Sequence, residues 1–477
     1  MQASTPSRTE PRERRTRREL ASVVAIAALT ATPLVVLIVM VARYAVDVPF
    51  WDEWHLVILL RWMKEGTLGF RGLWWQHNEH RILFPRIIML TLARVTHWDI
   101  RYECAANVVL AALTFLVLLV LVSRTRRSLG LTGPNWLLPV LSAMVFSLSQ
   151  WESWLWGWQI AVFLNVLAVA GGVTLLSSPA LGWPRVLSAA ALGVVASYSS
   201  ASGLLFWPIA LPLLLLGARP GEGRSRAWGR LAGWCVVAAG VYASYFHAHF
   251  TPPTHLSPAT AWREPLTLLR YTLNYLGHPV SEAHAGYVGA AGVAMLMLLS
   301  VALLRLRIMT WLALLPYLCL SLYAGLSAAM TGVGRLGFGA SQSLSSRYIT
   351  FANLLWIPLL VLLSLTAARC RRALSHSSGG RSPERPRGPR QPDRKLRRLG
   401  ALCFATLLAA AAGSLITSVG AVPWFRTTYN QRAADRAKLA AGARPEELQT
   451  LYPVPFVLRE SIPTLQKYHL SVFRKRR

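Results

Sequence analysis

Apolar runs about twenty residues long recur along the chain, separated by short charged, basic or proline-rich stretches. No sustained period-two alternation appears. A run of that length, folded as a helix, matches the ~30 Å hydrocarbon core of a bilayer. The runs at 20–44, 105–122, 160–176, 231–249, 285–304, 308–330, 348–368 and 399–419 read as crossings. Those at 136–148, 186–198 and 204–216 read as shorter arms of hairpins. The expected fold class is therefore all-α: a polytopic integral membrane protein of about 11 transmembrane helices.

Basic clusters punctuate this pattern at Arg124–Arg127, Arg219–Arg230, Arg305–Arg307 and residues 369–398. Lys and Arg concentrate in cytoplasmic loops, so these clusters place the N-terminus inside and the C-terminus outside. Residues 1–19 form a basic cytoplasmic tail, 20–420 the membrane module, and 421–477 a short external tail. Within the module, 45–104 is the first external loop, and 369–398, rich in Arg, Pro, Ser and Gly, is a disordered cytoplasmic loop. A second external loop spans 250–283, with Pro252, Pro253 and His255 near its start. The external tail ends in Arg474-Lys-Arg-Arg477, which runs against the charge rule. The N-terminal apolar run exceeds a cleaved leader in length and reads as a retained first helix.

Composition narrows the class further. Of 477 residues, 54% are hydrophobic and 15% charged, and 19 are tryptophans, which favour the headgroup layer. A net charge of +30 would suit a nucleic-acid binder, but the basic residues lie between apolar spans. Membrane lipids with anionic headgroups are the expected partner, with no nucleic acid. Cys104, Cys235, Cys319, Cys370 and Cys403 are scattered, without disulfide-framework or metal-site spacing. There is no phosphate-binding glycine loop and no serine-nucleophile elbow.

Candidate chemistry gathers at the external ends of the spans. Pro49-Phe-Trp-Asp-Glu-Trp-His55 and Gln76-His-Asn-Glu-His-Arg81 crowd ionisable groups beside the membrane, where such groups are costly unless used. Residues 55–63 and 82–95 of the same loop read as amphipathic helices lying in the interface. Asp52 and Glu53 are neighbours, so on a helix they point about 100° apart. Asp52 is the expected base and Glu53 an orienting or metal-adjacent group, against the alternative that both cap a helix N-terminus. His77 and His80, three apart, fit one helix face. With Glu79 they suit substrate or phosphate binding better than zinc or manganese. In Gln150–Gln159, Glu152, Trp156 and Gln159 suit a sugar, against the bland reading of an interfacial aromatic belt. Arg335 and Arg347 bound a glycine- and serine-rich external loop that can close over an anion. Ten of the twenty acids fall in the early external loops, and none lies between 283 and 383. Early acids and late arginines would thus converge on one face, as transfer from a phosphate-linked donor requires.

An acidic motif after the first span, interfacial helices and many further spans together resemble the GT-C glycosyltransferases that use polyprenyl-phosphate sugars. The motifs Trp-Asp-Glu-Trp, Gln-His-Asn-Glu-His-Arg, Trp-Gly-Trp-Gln, Ser-Arg-Tyr (346–348) and Leu-Tyr-Pro (451–453) also look like bacterial envelope-polysaccharide membrane proteins. The resemblance implies catalysis by Asp52 with Glu53, and donor-phosphate binding by Arg81, His80, Arg335 and Arg347. Substrate contacts would come from His77, Glu79, Glu152, Trp156 and Gln159. It implies a polyprenyl-phosphate sugar donor, a glycan, lipid or protein acceptor, and the bacterial inner membrane. No cofactor is required, although a divalent metal is compatible. The rival readings are a flippase for lipid-linked sugars and an O-antigen-type polymerase.

Overall fold

The computed structural model describes residues 10–131, 135–178, 181–217, 224–250, 263–379 and 391–474, and the regular elements among them are all helices. In chain order the helices are α1 (Glu10–Tyr44), α2 (Leu56–Glu65), α3 (Phe70–Trp74), α4 (Leu83–Thr96), α5 (Ile100–Ser128), α6 (Leu137–Val145) and α7 (Trp151–Leu155). There follow α8 (Ile160–Leu176), α9 (Trp183–Ser197), α10 (Phe206–Ile209), α11 (Leu211–Leu216), α12 (Arg224–Phe246) and α13 (Pro265–Gly277). The chain closes with α14 (Ala285–Arg305), α15 (Trp311–Arg335), α16 (Ile349–Gly379), α17 (Gln391–Gly420), α18 (Val422–Ala440) and α19 (Pro455–Lys467). Among the described residues, seven helical stretches are long and apolar enough to cross a membrane: 20–44, 100–128, 157–176, 285–305, 311–338, 346–374 and 394–440. The protein is thus an all-α, multi-pass membrane protein. The other four expected runs fall on the nine-residue α6, the 15-residue α9, the broken stretch 201–216, and α12 with its three arginines.

The bundle is organised around α16, whose apolar stretch is almost wholly enclosed, while α1 and α17 lie at the rim. Polar side chains inside the bundle tie helices together where no water is at hand. Asn165 on α8 donates to the Ala196 carbonyl (3.0 Å) and accepts from Tyr323 on α15 (2.5 Å). Asn353 on α16 donates to the Met144 carbonyl (3.0 Å). Pro33 interrupts the hydrogen-bond ladder of α1. One turn before it, the Thr30 carbonyl accepts from Ser142 on α6 (2.6 Å). Between α13 and α14 the backbones touch, and a Cβ at Gly277 or Gly289 would collide with a facing carbonyl. Glycine stands there because the two helices meet without side chains between them.

On one side of the bundle the first loop and the C-terminal segment fold into a joint cap. α2 and α4 are the two amphipathic pieces expected in the loop, with Leu56, Leu59, Leu60, Met89 and Leu90 turned inward. The segment after α17 is no loose tail. α19 packs on α2 of the loop, α18 lies on α1 and α7 with Arg432 over Phe50, and Arg474 pairs with Asp47 (3.2 Å) and Asp99 (2.8 Å). Asp99 also caps α5 through the Arg101 amide (3.2 Å), so this clamp fixes where the loop re-enters the bundle. One charge that broke the loop-charge rule is therefore neutralised by loop acids. Helix also replaces disorder at both ends of the 369–398 loop, since α16 continues to Gly379 and α17 starts at Gln391. Likewise α1 already begins at Glu10, inside the expected tail. Residues 1–9, 251–262 (with Pro252, Pro253 and His255) and 380–390 lie outside the described residues.

Candidate active site

Residues Trp51–His55 form a 3₁₀ turn that leads into α2. Trp51 takes a left-handed conformation (φ 50°), and its amide donates to the Leu451 carbonyl of the C-terminal segment (2.7 Å). A large side chain adopts that conformation only where its surroundings enforce it. The turn sends the two acids in different directions, as their adjacency predicts. Glu53 is 1% exposed. It accepts from the Phe50 amide (2.8 Å) and the Trp158 amide (3.3 Å). Burial lifts its carboxyl to about 7, because these amides and Arg432 only partly offset the loss of water. Asp52 keeps a quarter of its side chain open to solvent. Burial pushes its pKa up, but the hydrogen bond from His77, then the charges of His77, His55 and, least of them, Arg347 outweigh it, and the net shift is downward. Of the adjacent pair, Asp52 is the accessible, charged carboxylate and Glu53 an internal brace.

Asp52 ends a line of aromatic side chains. Its Oδ1 lies 3.4 Å from His77 Nε2, His77 Nδ1 lies 3.3 Å from His55 Nδ1, and His55 Nε2 lies 2.8 Å from the Tyr452 hydroxyl. The Trp158 ring packs on His77 (4.7 Å between centroids). Among the described residues, Asp52, His55 and His77 bring one donor atom each within 4.8 Å of one another. One carboxylate and two imidazoles are a donor set that zinc or manganese accepts. In the closest contacts His77 gives each of the other two a different nitrogen, Nε2 to Asp52 and Nδ1 to His55.

Residues Gln76–Arg81 do not form a helix. His77 and His80 pair through their backbones (2.8 Å each way) around Asn78, whose φ is 47°. This tight turn corrects the expectation of one shared helix face, and the two histidines diverge. His80 Nδ1 accepts from the Ala201 amide (3.1 Å), which leaves the proton on Nε2 facing Glu79 (3.3 Å). Burial draws the His80 pKa down. Glu79 also binds Arg335 (3.0 Å). Arg81, expected beside a donor phosphate, is turned inward instead. It donates to the carbonyls of Tyr245 (2.7 Å), His247 (2.5 Å) and Trp74 (3.2 Å), and so caps the C-terminus of α12. Helix ends present unpaired carbonyls, and a guanidinium satisfies several at once.

Gln150–Gln159 is a buried, broken segment between α6 and α8, not an exposed aromatic belt. Glu152 accepts from the Ser346 hydroxyl (3.3 Å), the Arg347 amide (3.2 Å) and the Arg347 guanidinium (3.4 Å). Trp156 donates to the Phe50 carbonyl (3.1 Å), and Arg347 lies over its ring (5.9 Å). Gln159 is buried, and its amide oxygen has no hydrogen-bond partner among the described residues. Gly157 explains the Trp-Gly-Trp spacing. A Cβ there would lie 2.9 Å from Glu53 Oε1 and closer still to Glu103 Oε2. Two carboxyl groups occupy the space a side chain would need.

The site therefore joins the first loop, the 150s segment, the 335–347 loop and the C-terminal segment on one side of the bundle. Each late arginine meets an earlier acid, Arg335 with Glu79 and Arg347 with Glu152, and Asp52 lies within the field of Arg347. Several participants escaped the sequence reading. His55 sat within a noted motif but without a role. Glu103, which accepts from Trp98 (3.0 Å), reads as the polar start of a span. Arg432 lies over Phe50 (4.1 Å) and donates to the Leu155 carbonyl. It falls in a buried stripe, Phe425, Thr428, Arg432, Asp435, Leu439, and polar residues at core spacing were its signal. The Leu-Tyr-Pro motif was visible, but nothing local ties Tyr452 to His55. Fold and site define a helical membrane protein with an ionisable cluster in a cap on one side. No protein-family model, curated protein or solved structure matches the chain.

Proposed function

We propose that the protein is a GT-C-like glycosyltransferase that moves a sugar from a polyprenyl-phosphate carrier to a hydroxyl of a glycan, lipid or protein. In this reading it crosses the bacterial inner membrane about eleven times, counting the shorter helices, and works on the external face. The observation that carries the reading is a charged, partly open carboxylate, Asp52, in the field of Arg347 with a second arginine, Arg335, nearby in the same cap. Asp52 takes the proton of the acceptor hydroxyl as its oxygen attacks the anomeric carbon. The bond to the phosphate oxygen breaks, and the polyprenyl phosphate leaves as an anion. Arg347 and Arg335 are each held by one carboxylate at rest, so they meet the phosphate by sharing or exchanging that partner. Trp156 and Glu152 stand beside Arg347, where a sugar ring would stack and hydrogen-bond. In the same reading Glu53 and Arg81 hold the loop rather than touch substrate.

The experiment is a panel of polyprenyl-phosphate sugars offered to the purified protein, wild type against Asp52→Asn. Transfer or donor hydrolysis should fall by at least a hundredfold in the variant, the size of a lost general base. Turnover unchanged by the substitution would remove Asp52 from that role. Donor binding and transbilayer movement without any sugar transfer would point to a flippase.

A further inference from the structure

With its imidazoles neutral, the line from Asp52 into the protein has one direction. A carboxylate only accepts, so the nitrogen facing it, His77 Nε2, carries the proton. A neutral imidazole has one N–H, so His77 Nδ1 is bare and must accept from His55 Nδ1, 3.3 Å away. His55 then carries its proton on Nδ1, and its bare Nε2 accepts from the Tyr452 hydroxyl at 2.8 Å. With the first member an anion and both rings neutral, every position in the chain is fixed. Asn78 places its side-chain amide 3.2 Å from the same His77 Nε2. With that proton directed to Asp52, the amide oxygen is the atom that belongs there.

We propose that His55 and Tyr452 are positioning residues for Asp52: they lock His77 into the tautomer that donates to the carboxylate. The C-terminal segment thereby becomes a working part of the site in the first loop. This rests on the proposed role of Asp52 as base, but the hydrogen-bond line itself does not. Tyr452 is 397 positions from His55 in the chain and is seated by its neighbour, since the Leu451 carbonyl holds the Trp51 amide. Around the line stand Arg86, which opposes charge on His55, and Arg347, which favours charge on Asp52. His80, with its Glu79 and Arg335 partners, feels both His77 and Asp52. Burial draws His55 down to about 4, in keeping with a neutral ring. The line holds one carboxylate oxygen and leaves Asp52 partly open, so the acceptor meets a base that is oriented and ionised before it binds.

The test uses the full-length protein in lipid nanodiscs with ring-¹⁵N histidine. It compares wild type, Tyr452→Phe and His55→Gln, the last to assign the His55 signals. Ring nitrogens with and without a proton are well separated in the ¹⁵N spectrum. At pH 7.5 the wild type should show His55 protonated on Nδ1 and bare on Nε2, the reverse of the usual preference, with His77 protonated on Nε2. Tyr452→Phe should return His55 to a mixture, while the remaining histidines keep their signals and so report an intact fold. An ordinary His55 tautomer in the wild type, or a Tyr452→Phe spectrum identical to wild type, overturns the proposal. So does a joint shift of both rings on adding zinc chloride that a chelator reverses, which would make the three residues a metal site. With a donor that turns over, Tyr452→Phe should move the acid limb of the kcat/KM profile upward by roughly one pH unit, because Asp52 loses part of what keeps it ionised. If the tautomers are as stated and no donor turns over, the line stands and the transferase reading falls. A pH profile unmoved by Tyr452→Phe would leave the line as scaffold and sink the positioning role.

Discussion

At the residue scale, neighbouring positions in one turn respond to water loss in opposite ways. Glu53 and His55 both lie in the turn Trp51–His55, and burial penalises the charged form of each. For the acid this raises the folded pKa from 4.5 to about 7. Its contribution to stability is complete below 4.5 and is lost as pH rises through 7. For the histidine it lowers the folded pKa from 6.5 to about 4, so its contribution is complete above 6.5 and is lost as pH falls through 4. Each shift corresponds to ~3 kcal/mol, and the windows overlap, so the two slopes nearly cancel in the wild type. Glu53→Gln should leave the histidine's slope exposed, with thermal stability in detergent rising from pH 4.5 to 6.5. His55→Gln should show a falling curve over the same range. If both variants keep the wild-type slope, neither side chain is buried as described.

At the element scale, the C-terminal helices α18 and α19 act as a strap across the first loop. Arg474 closes it by bridging two buried carboxylates that come from either side of α2 and α4 in the chain. Arg474→Ala would leave Asp47 with burial and the charge of Asp99 both opposing its ionisation. Arg474 is partly exposed, so the cost should be about 1–3 kcal/mol, below that of a fully buried pair. The variant should melt earlier and be cut sooner by protease around residues 440–455, and an unaltered digestion pattern would show that Arg474 does not close the strap.

The long membrane helices were legible because an unbroken apolar run of that length has few other uses. The 137–159 and 201–216 stretches were not, because proline, glycine and clustered tryptophan break a helix without shortening the apolar run. Asp52, Glu152 and Arg347 could be singled out because ionisable groups crowded beside apolar spans are costly unless used. Arg81 looked the same in sequence, since an arginine capping a helix and one awaiting a phosphate carry the same local signal. Tyr452 and Arg432 depend on contacts hundreds of positions away, and no local pattern encodes a partner.

At the scale of the whole molecule, the proposed chemistry needs a single arrangement. The first loop, the 335–347 loop and the C-terminal segment must face one aqueous side, with the basic ends of α5 and α14 on the other. The contacts Tyr452–His55, Glu79–Arg335 and Arg474–Asp47 already bind the first three together. The arginines at 124–127 and 305–307 then set which side is which, because Lys and Arg are retained in the cytoplasm. Arg61, Arg444 and Arg127 are exposed side chains at suitable places, one on α2, one after α18 and one at the far end of α5. Cysteines placed singly at these positions can be probed in intact cells with a maleimide that does not cross the membrane. Arg61→Cys and Arg444→Cys should be labelled from outside, and Arg127→Cys only after the cells are opened. Native Cys235 is exposed and should be replaced by serine in the parent used for labelling. Labelling of Arg61→Cys and Arg444→Cys from opposite sides would break the cap apart. Labelling of both only from inside would keep the cap but move it to the cytoplasmic face, where a transferase taking its sugar from an externally presented carrier has no access to its donor.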